Sequence, residues 1–154
     1  MKETWRDDDV VSAWAAMLRL HARLVPLIDA ELQRHAGMPL AWYDVLLELS
    51  AAADKKLRMF DLGEVVVLSR TRVSRVVDEL VRAGYLEKVP NPDDGRSAFA
   101  RLTPAGTNAF RRAAPTYLEL IRNHFGGHFT AGDAKTLRRV LSKALAAGAA
   151  DDST

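Results

Sequence analysis

In the stretch LSRTRVSRVVDELVRAG, Leu68 to Gly84, the residues Thr71, Ser74, Arg75, Asp78 and Arg82 recur at three- and four-residue steps, with Arg70 and Arg72 on their flanks. On a helix these positions share one face. Hydroxyl and guanidinium groups in such a row donate hydrogen bonds to phosphate oxygens and to base edges, so the chemistry on offer is recognition of a polyanion. The opposite face carries Val73, Val76, Val77 and Leu80 at i, i+3, i+4 and i+7, the spacing of a buried stripe. Ser69 is a good N-cap and Gly84 a good C-terminal stop. The same arginines would also suit an ordinary solvated helix, so the neighbouring elements must decide.

The next segment, VPNPDDGRSAFARLTPAG (Val89 to Gly106), packs two prolines, two aspartates, a glycine and an arginine between Pro90 and Arg96. LEKVP and SAFARL read as short strands, and NPDDGR reads as a turn with Asp-Gly near its tip. Arg96 would fit a narrow, electronegative minor groove. Asp94 would repel phosphate if unpaired, so it is expected to orient Arg96 through a salt bridge. Thr103 then caps a helix whose first residue is Pro104.

These elements need a scaffold. The first helix is expected over about Asp9 to His35, with Val11, Trp14, Leu18, Val25, Ile28 and Leu32 on one apolar stripe, joined by His21, and Met17, Leu20, Leu24 and Leu27 on a second. Two apolar faces imply two packing partners, one of them suited to another subunit. Asp7 to Asp9 suit the positive helix end, and Pro26 should kink the helix. Gly37 closes it and Pro39 opens PLAWYDVLLELSAA, with Trp42, Val45, Leu46 and Leu49 inside; Trp14 and Trp42 both read as core. KKLRMFDLGEVVV reads as a short third helix. The fifth helix keeps Phe110, Ala114, Tyr117, Leu118, Ile121 and Phe125 in phase, with a kink expected at Pro115, and Thr130 and Asp133 start a sixth. The final AAGAADDST reads as a frayed tail. Helix–turn–helix followed by a hairpin is a winged helix: the fold is mainly α with a small β-hairpin wing.

Composition sets the limits. At 154 residues the chain suits one domain with its own core. No apolar run is expected to approach the roughly 18 residues of a membrane span, and MKETWRDDD has no signal-peptide core. The expectation is a cytoplasmic protein with no membrane partner and no cofactor. Zero cysteines exclude disulfides and thiol redox sensing. Lys55 to Arg112 holds 12 of the 22 Lys and Arg but only 7 of the 20 Asp and Glu, a basic middle suited to a polyanion. No phosphate-binding glycine loop, Gly-x-Ser-x-Gly or His-Glu-x-x-His is present, so an enzyme is not expected. His124 and His128, spaced i, i+4, are the nearest approach to a metal pair; Gly126 and Gly127 separate them and no third ligand is evident, so no metal is expected.

The residues YDVLLEL, LSRTRVSRVVDELVRAGYLEK and NPDDGRSAFARLTPAG, in this order and spacing, resemble the MarR (multiple-antibiotic-resistance-type) regulators, covering Leu40 to Gly106 closely and the terminal helices by pattern. The resemblance implies a homodimeric transcriptional regulator of double-stranded DNA, acting as a repressor at a pseudo-palindromic operator. It implies a DNA-binding lobe at about 40–103 and dimerisation helices at about 8–36 and 104–148. By carry-over Ser69, Arg70, Thr71, Arg72, Ser74 and Arg75 touch DNA from the helix, and Asp94 and Arg96 serve the wing. Family effector pockets lie between dimerisation helices and DNA lobe, and a urate-responsive branch uses Trp, Asp and Arg there. That points to Trp14 and Asp44 with an arginine, and to His21 beside them, for a small aromatic or anionic effector, although His21 reads more readily as a packed residue of a dimer seam. Gly63 and Gly95 depart from the family's usual alanine and second wing arginine. The alternative is a winged helix that binds only protein.

Overall fold

The computed structural model describes residues 8–151, without the side chains of Arg70 and of residues 148–151. The chain forms two compact units, Met1–Leu118 and Glu119–Thr154.

In the first unit, α1 (Asp9–Ala36) starts at Asp8, whose carboxylate accepts the N–H groups of Val10 and Val11 at 2.8 and 3.3 Å. Asp7 of the expected acidic start lies outside the described residues. The helix runs on through Pro26 and ends at Gly37, whose φ of 64° is a left-handed conformation natural to glycine. Only Ile28 and Leu32 of α1 are buried, and Trp14 is 56% exposed, so Trp14 does not belong to the core of the chain as expected. The reason is position: the apolar stripes of the N-terminal half extend beyond the part of α1 that meets the lobe.

Helix α2 (Leu40–Ala51) follows, with the Leu40 N–H bonded to Asp29 of α1 at 2.7 Å because Pro39 has no side chain to cap it. A 3-10 turn then leads to β1 (Lys56–Arg58), helix α3 (Met59–Val65) and helix α4 (Arg70–Arg82). The segment read as a short third helix thus holds a two-turn helix preceded by an unexpected strand. Its pairing partner, β3 (Ala98–Leu102), lies over forty residues away, with Leu57 opposite Ala100. Strand β2 (Leu86–Pro90) pairs antiparallel with the other edge of β3, giving the order β1-β3-β2. The core is formed by Val45, Leu46 and Leu49 of α2, Leu62 of α3, Val73, Val77 and Leu80 of α4, and Leu86 and Ala100 of the sheet, all buried. Apolar burial at about 25 cal/mol per Å² makes this cluster the main force holding α4.

Helix α5 (Pro104–His124) runs from the first unit into the second and contains Pro115 without interruption. Its entry is tightly built. The Thr103 hydroxyl accepts the Gly106 N–H at 3.0 Å and lies 2.8 and 3.0 Å from the carbonyls of Gly84 and Tyr85, donating to one of them. Gly106 is buried against Tyr85, where a Cβ would collide with the backbone carbonyl. That contact is a physical reason for glycine three residues after the threonine.

In the second unit, α6 (Ala131–Asp151) opens with Thr130 and Asp133 satisfying each other's backbone N–H groups at 3.0 and 3.2 Å. The Thr130 hydroxyl, which donates to Asp133 Oδ2 at 2.6 Å, and the Thr130 N–H together hold the Asp133 carboxyl below its usual range. The helix continues through Asp151 where a frayed tail is expected, since Ala144, Ala146, Ala147, Ala149 and Ala150 are strong helix formers. Helix α5 stops at His124 and His128 lies in a separate 3-10 turn, so the two histidines do not share one helix face. By length and composition α1 is apolar enough to cross a membrane, contrary to expectation, because its alanines, leucines and valines outweigh Arg19 and Arg23 in the average. Those two guanidinium groups would each cost about 2.5–3.5 kcal/mol near a bilayer centre.

Candidate nucleic-acid interface

Helices α3 and α4 are separated by the four residues Val66 to Ser69. The Ser69 side chain accepts the Arg72 N–H at 3.4 Å, a long but correctly placed N-cap. Burial of Val73, Val76, Val77 and Leu80 turns the other face outward: Ser69, Thr71, Arg72, Ser74 and Arg75 are all exposed. The Arg70 backbone is in the helix, and its side chain lies outside the described residues. The expected row of donors is therefore assembled on one solvent-facing surface at the N-terminal end of α4, where the helix dipole also favours negative charge.

The wing is ordered by its own polar groups. Asn91 is buried, donating from Nδ2 to Ser97 Oγ at 2.8 Å and accepting the Asp93 N–H at 3.1 Å. Asp94 accepts the backbone N–H of Arg96 at 3.0 Å, while its own carbonyl accepts the Ser97 N–H at 3.0 Å. The expected Asp94–Arg96 salt bridge is thus replaced by a bond to the Arg96 backbone. A carboxylate two residues upstream reaches an N–H more readily than the end of a long side chain. Arg96 stays exposed at the tip. Asn91 and Ser97 were not singled out in the sequence, although Asn before Pro-Asp is a recognisable turn signal.

Two ties join the recognition surface to its surroundings. Trp42 donates from Nε1 to Glu79 Oε2 at 2.9 Å and meets the Tyr85 ring edge-on at 6.1 Å, so this half-buried Trp42 bridges α2 and α4. Lys88 of β2 reaches Asp78 of α4 at 2.6 Å. Neither tie follows from periodicity, because each joins residues on different elements.

Asp44 is half-buried, and its Oδ2 accepts the Val67 N–H at 3.1 Å, in the turn that leads into α4. Burial raises its carboxyl pKa, with the Val67 bond opposing the shift. Glu48, one turn on, is raised by burial and by the charge of Asp44. Beside them Tyr43 stacks on Phe110 and Tyr117 at 5.2 and 4.3 Å between ring centres, and burial pushes the Tyr43 hydroxyl up to about 12. Trp14 and His21 are exposed on α1, and among the described residues no hydrogen bond, ion pair or ring contact joins either to Asp44. Two shallow grooves of about 310 and 300 Å³ contain none of the three. The single chain does not bring the expected effector residues together.

A helix–turn–helix packed on a three-stranded sheet, with an exposed donor row and a hairpin after it, defines a winged helix–turn–helix protein. Residues 36–97 match the model of the MarR family. The multiple antibiotic resistance protein MarR of Escherichia coli is 27% identical over 105 residues, 68% of this chain and 72% of that protein. Among solved structures, Sco3205, a MarR family transcriptional regulator from Streptomyces coelicolor in complex with DNA, is 30% identical with a TM-score of 0.80, covering 88% of this chain and 84% of that one. AbsC, a MarR family transcriptional regulator from the same organism, is 26% identical with a TM-score of 0.79, covering 90% and 93%. The chain belongs to the MarR family, whose members are transcriptional regulators and not enzymes.

Proposed function

We propose that this protein is a homodimeric, sequence-specific DNA-binding regulator, a repressor released by a small aromatic or anionic effector. The observation that carries the DNA reading is the exposed row Ser69, Thr71, Arg72, Ser74 and Arg75 on α4, set before a wing that presents Arg96. In this reading each α4 enters a major groove, with half-site centres about 10 bp apart. Arg96 approaches the adjacent minor groove, Ser74 and Arg75 read base edges, and Arg70 and Arg72 add phosphate contacts. The relative solved with DNA bound supports the same assignment.

Dimerisation is supported by apolar side chains that the protomer leaves in water. Along α1 these are Val10, Val11, Trp14, Met17, Leu18, Leu20 and Val25. A surface of this kind on a folded protein marks an association site. The effector reading is supported by Asp44, which joins a half-buried, aromatic-flanked position to the turn before α4; Trp14 and His21 would then reach an effector from a dimer-covered surface. In this reading the DNA partner is chromosomal and the protein acts in the cytoplasm.

Fluorescence anisotropy with a DNA duplex selected from a random pool and with a scrambled duplex tests the reading. Arg75→Ala is expected to weaken the selected site by about 1–3 kcal/mol, the worth of a bidentate base contact, and to weaken the scrambled site less. Equal losses on both duplexes would remove Arg75 from base readout, and no binding by the parent protein to any duplex would refute the proposal.

A further inference from the structure

Asp78 is the one acidic residue on the donor stripe of α4, one turn beyond Ser74 and Arg75. A bare carboxylate there would repel any phosphate brought against the helix. It is not bare: Lys88 Nζ lies 2.6 Å from its Oδ1, and this pairing holds the carboxyl below its usual range. The Nε of Arg82 meanwhile donates to the Asp78 backbone carbonyl at 3.3 Å. Lys88 comes from β2, in the wing, and its side chain is 45% exposed, against 53% for Asp78. The pair is therefore wet, and exposed pairs contribute little to fold stability. Its larger effect is on where charge is available. A free lysine between recognition helix and wing would attach to phosphate of any sequence, whereas a lysine closed on a carboxylate at 2.6 Å must first give up that partner.

We propose that Asp78 withholds Lys88 from the DNA backbone and so lowers sequence-independent affinity. This rests on the DNA-binding reading above. In this role Asp78 and Lys88 keep non-specific binding weak without reading a base. Phosphate neutralisation is visible in salt dependence, because each phosphate contact adds about 0.9 to the steepness of the log–log plot.

The test uses anisotropy titrations across a salt series with the full chain on a random-sequence duplex and on a duplex selected by the parent protein. The variants are Asp78→Asn, Lys88→Gln and the double replacement. Asp78→Asn is expected to bind the random duplex several-fold tighter, to steepen its salt slope by about one, and to narrow the ratio between the two duplexes. Lys88→Gln, which leaves Asp78 bare, should weaken both duplexes. The double variant should recover the parent slope. An unchanged slope and ratio in Asp78→Asn overturns the proposal, as does a double variant that keeps the steeper slope. A parent protein that binds neither duplex defeats the DNA reading itself, and that is seen before any variant is compared. Thermal unfolding of each variant identifies a loss of fold, in which case Lys88→Gln and the double variant carry the comparison.

Discussion

Replacing Gly106 with alanine tests the packing that fixes the wing to α5. A Cβ at this position would overlap the Tyr85 carbonyl oxygen and lie 2.9 Å from both the Tyr85 carbonyl carbon and Leu102 Cδ1. Carbon–oxygen contact ordinarily begins at about 3.3 Å, so backbone has to move. The oxygen is not free to do so, since it accepts the Thr103 N–H at 3.1 Å and lies 3.0 Å from Thr103 Oγ1. Overpacking of this kind costs about 1–3 kcal/mol, and a weakened backbone bond adds about 1. The better helix propensity of alanine returns up to about 1 kcal/mol. The net expectation is a destabilisation of about 1–4 kcal/mol, or about 2–16 °C in Tm for a chain of this size. Thermal unfolding by circular dichroism at one fixed protein concentration measures it, with Gly95→Ala as control. Nothing lies within 4 Å of a Cβ at Gly95, so that change should stay within about 0.5 kcal/mol. A Gly106→Ala variant as stable as the parent would refute the reasoning, since helix propensity would then outweigh the collision.

Asp44→Asn should stabilise the fold near neutral pH. A carboxyl whose folded pKa is raised supports the fold below its unfolded pKa and loses that support as pH rises, and Asn still accepts the Val67 N–H. The advantage should shrink as pH falls towards about 4; an advantage that grows on acidification would invert the assignment. Thr130→Ala removes the cap of α6 and should cost about 1 kcal/mol, read as earlier loss of protection for amides near Ala131 in hydrogen exchange. Leu18→Glu places a charge on the exposed apolar surface of α1 and should convert the proposed dimer to monomer in analytical ultracentrifugation; an unchanged mass would remove this surface from the proposed interface.

Local rules accounted for much of this molecule. The Val73–Val76–Val77–Leu80 spacing fixed the face α4 buries, Ser69 and Gly84 its ends, and the Thr130–Asp133 spacing the start of α6, because caps and helical stripes are decided within a few residues. The same reasoning put the donor row on one exposed face and Arg96 on a hairpin tip. Contacts between distant segments had no such signature. Strand β1 exists because β3 offers it an edge, Trp42 and Lys88 find Glu79 and Asp78 across element boundaries, and Gly106 is needed only because the Tyr85 carbonyl arrives beside it. Trp14 reads as core from its stripe, yet stands in water because a stripe shows that a face is apolar and not what covers it. The sequence by itself determined the helices, the wing and the chemistry they display. The tertiary structure decided which charges are paired and which remain available, because pairing depends on separations of a few ångströms between segments the chain brings together only on folding.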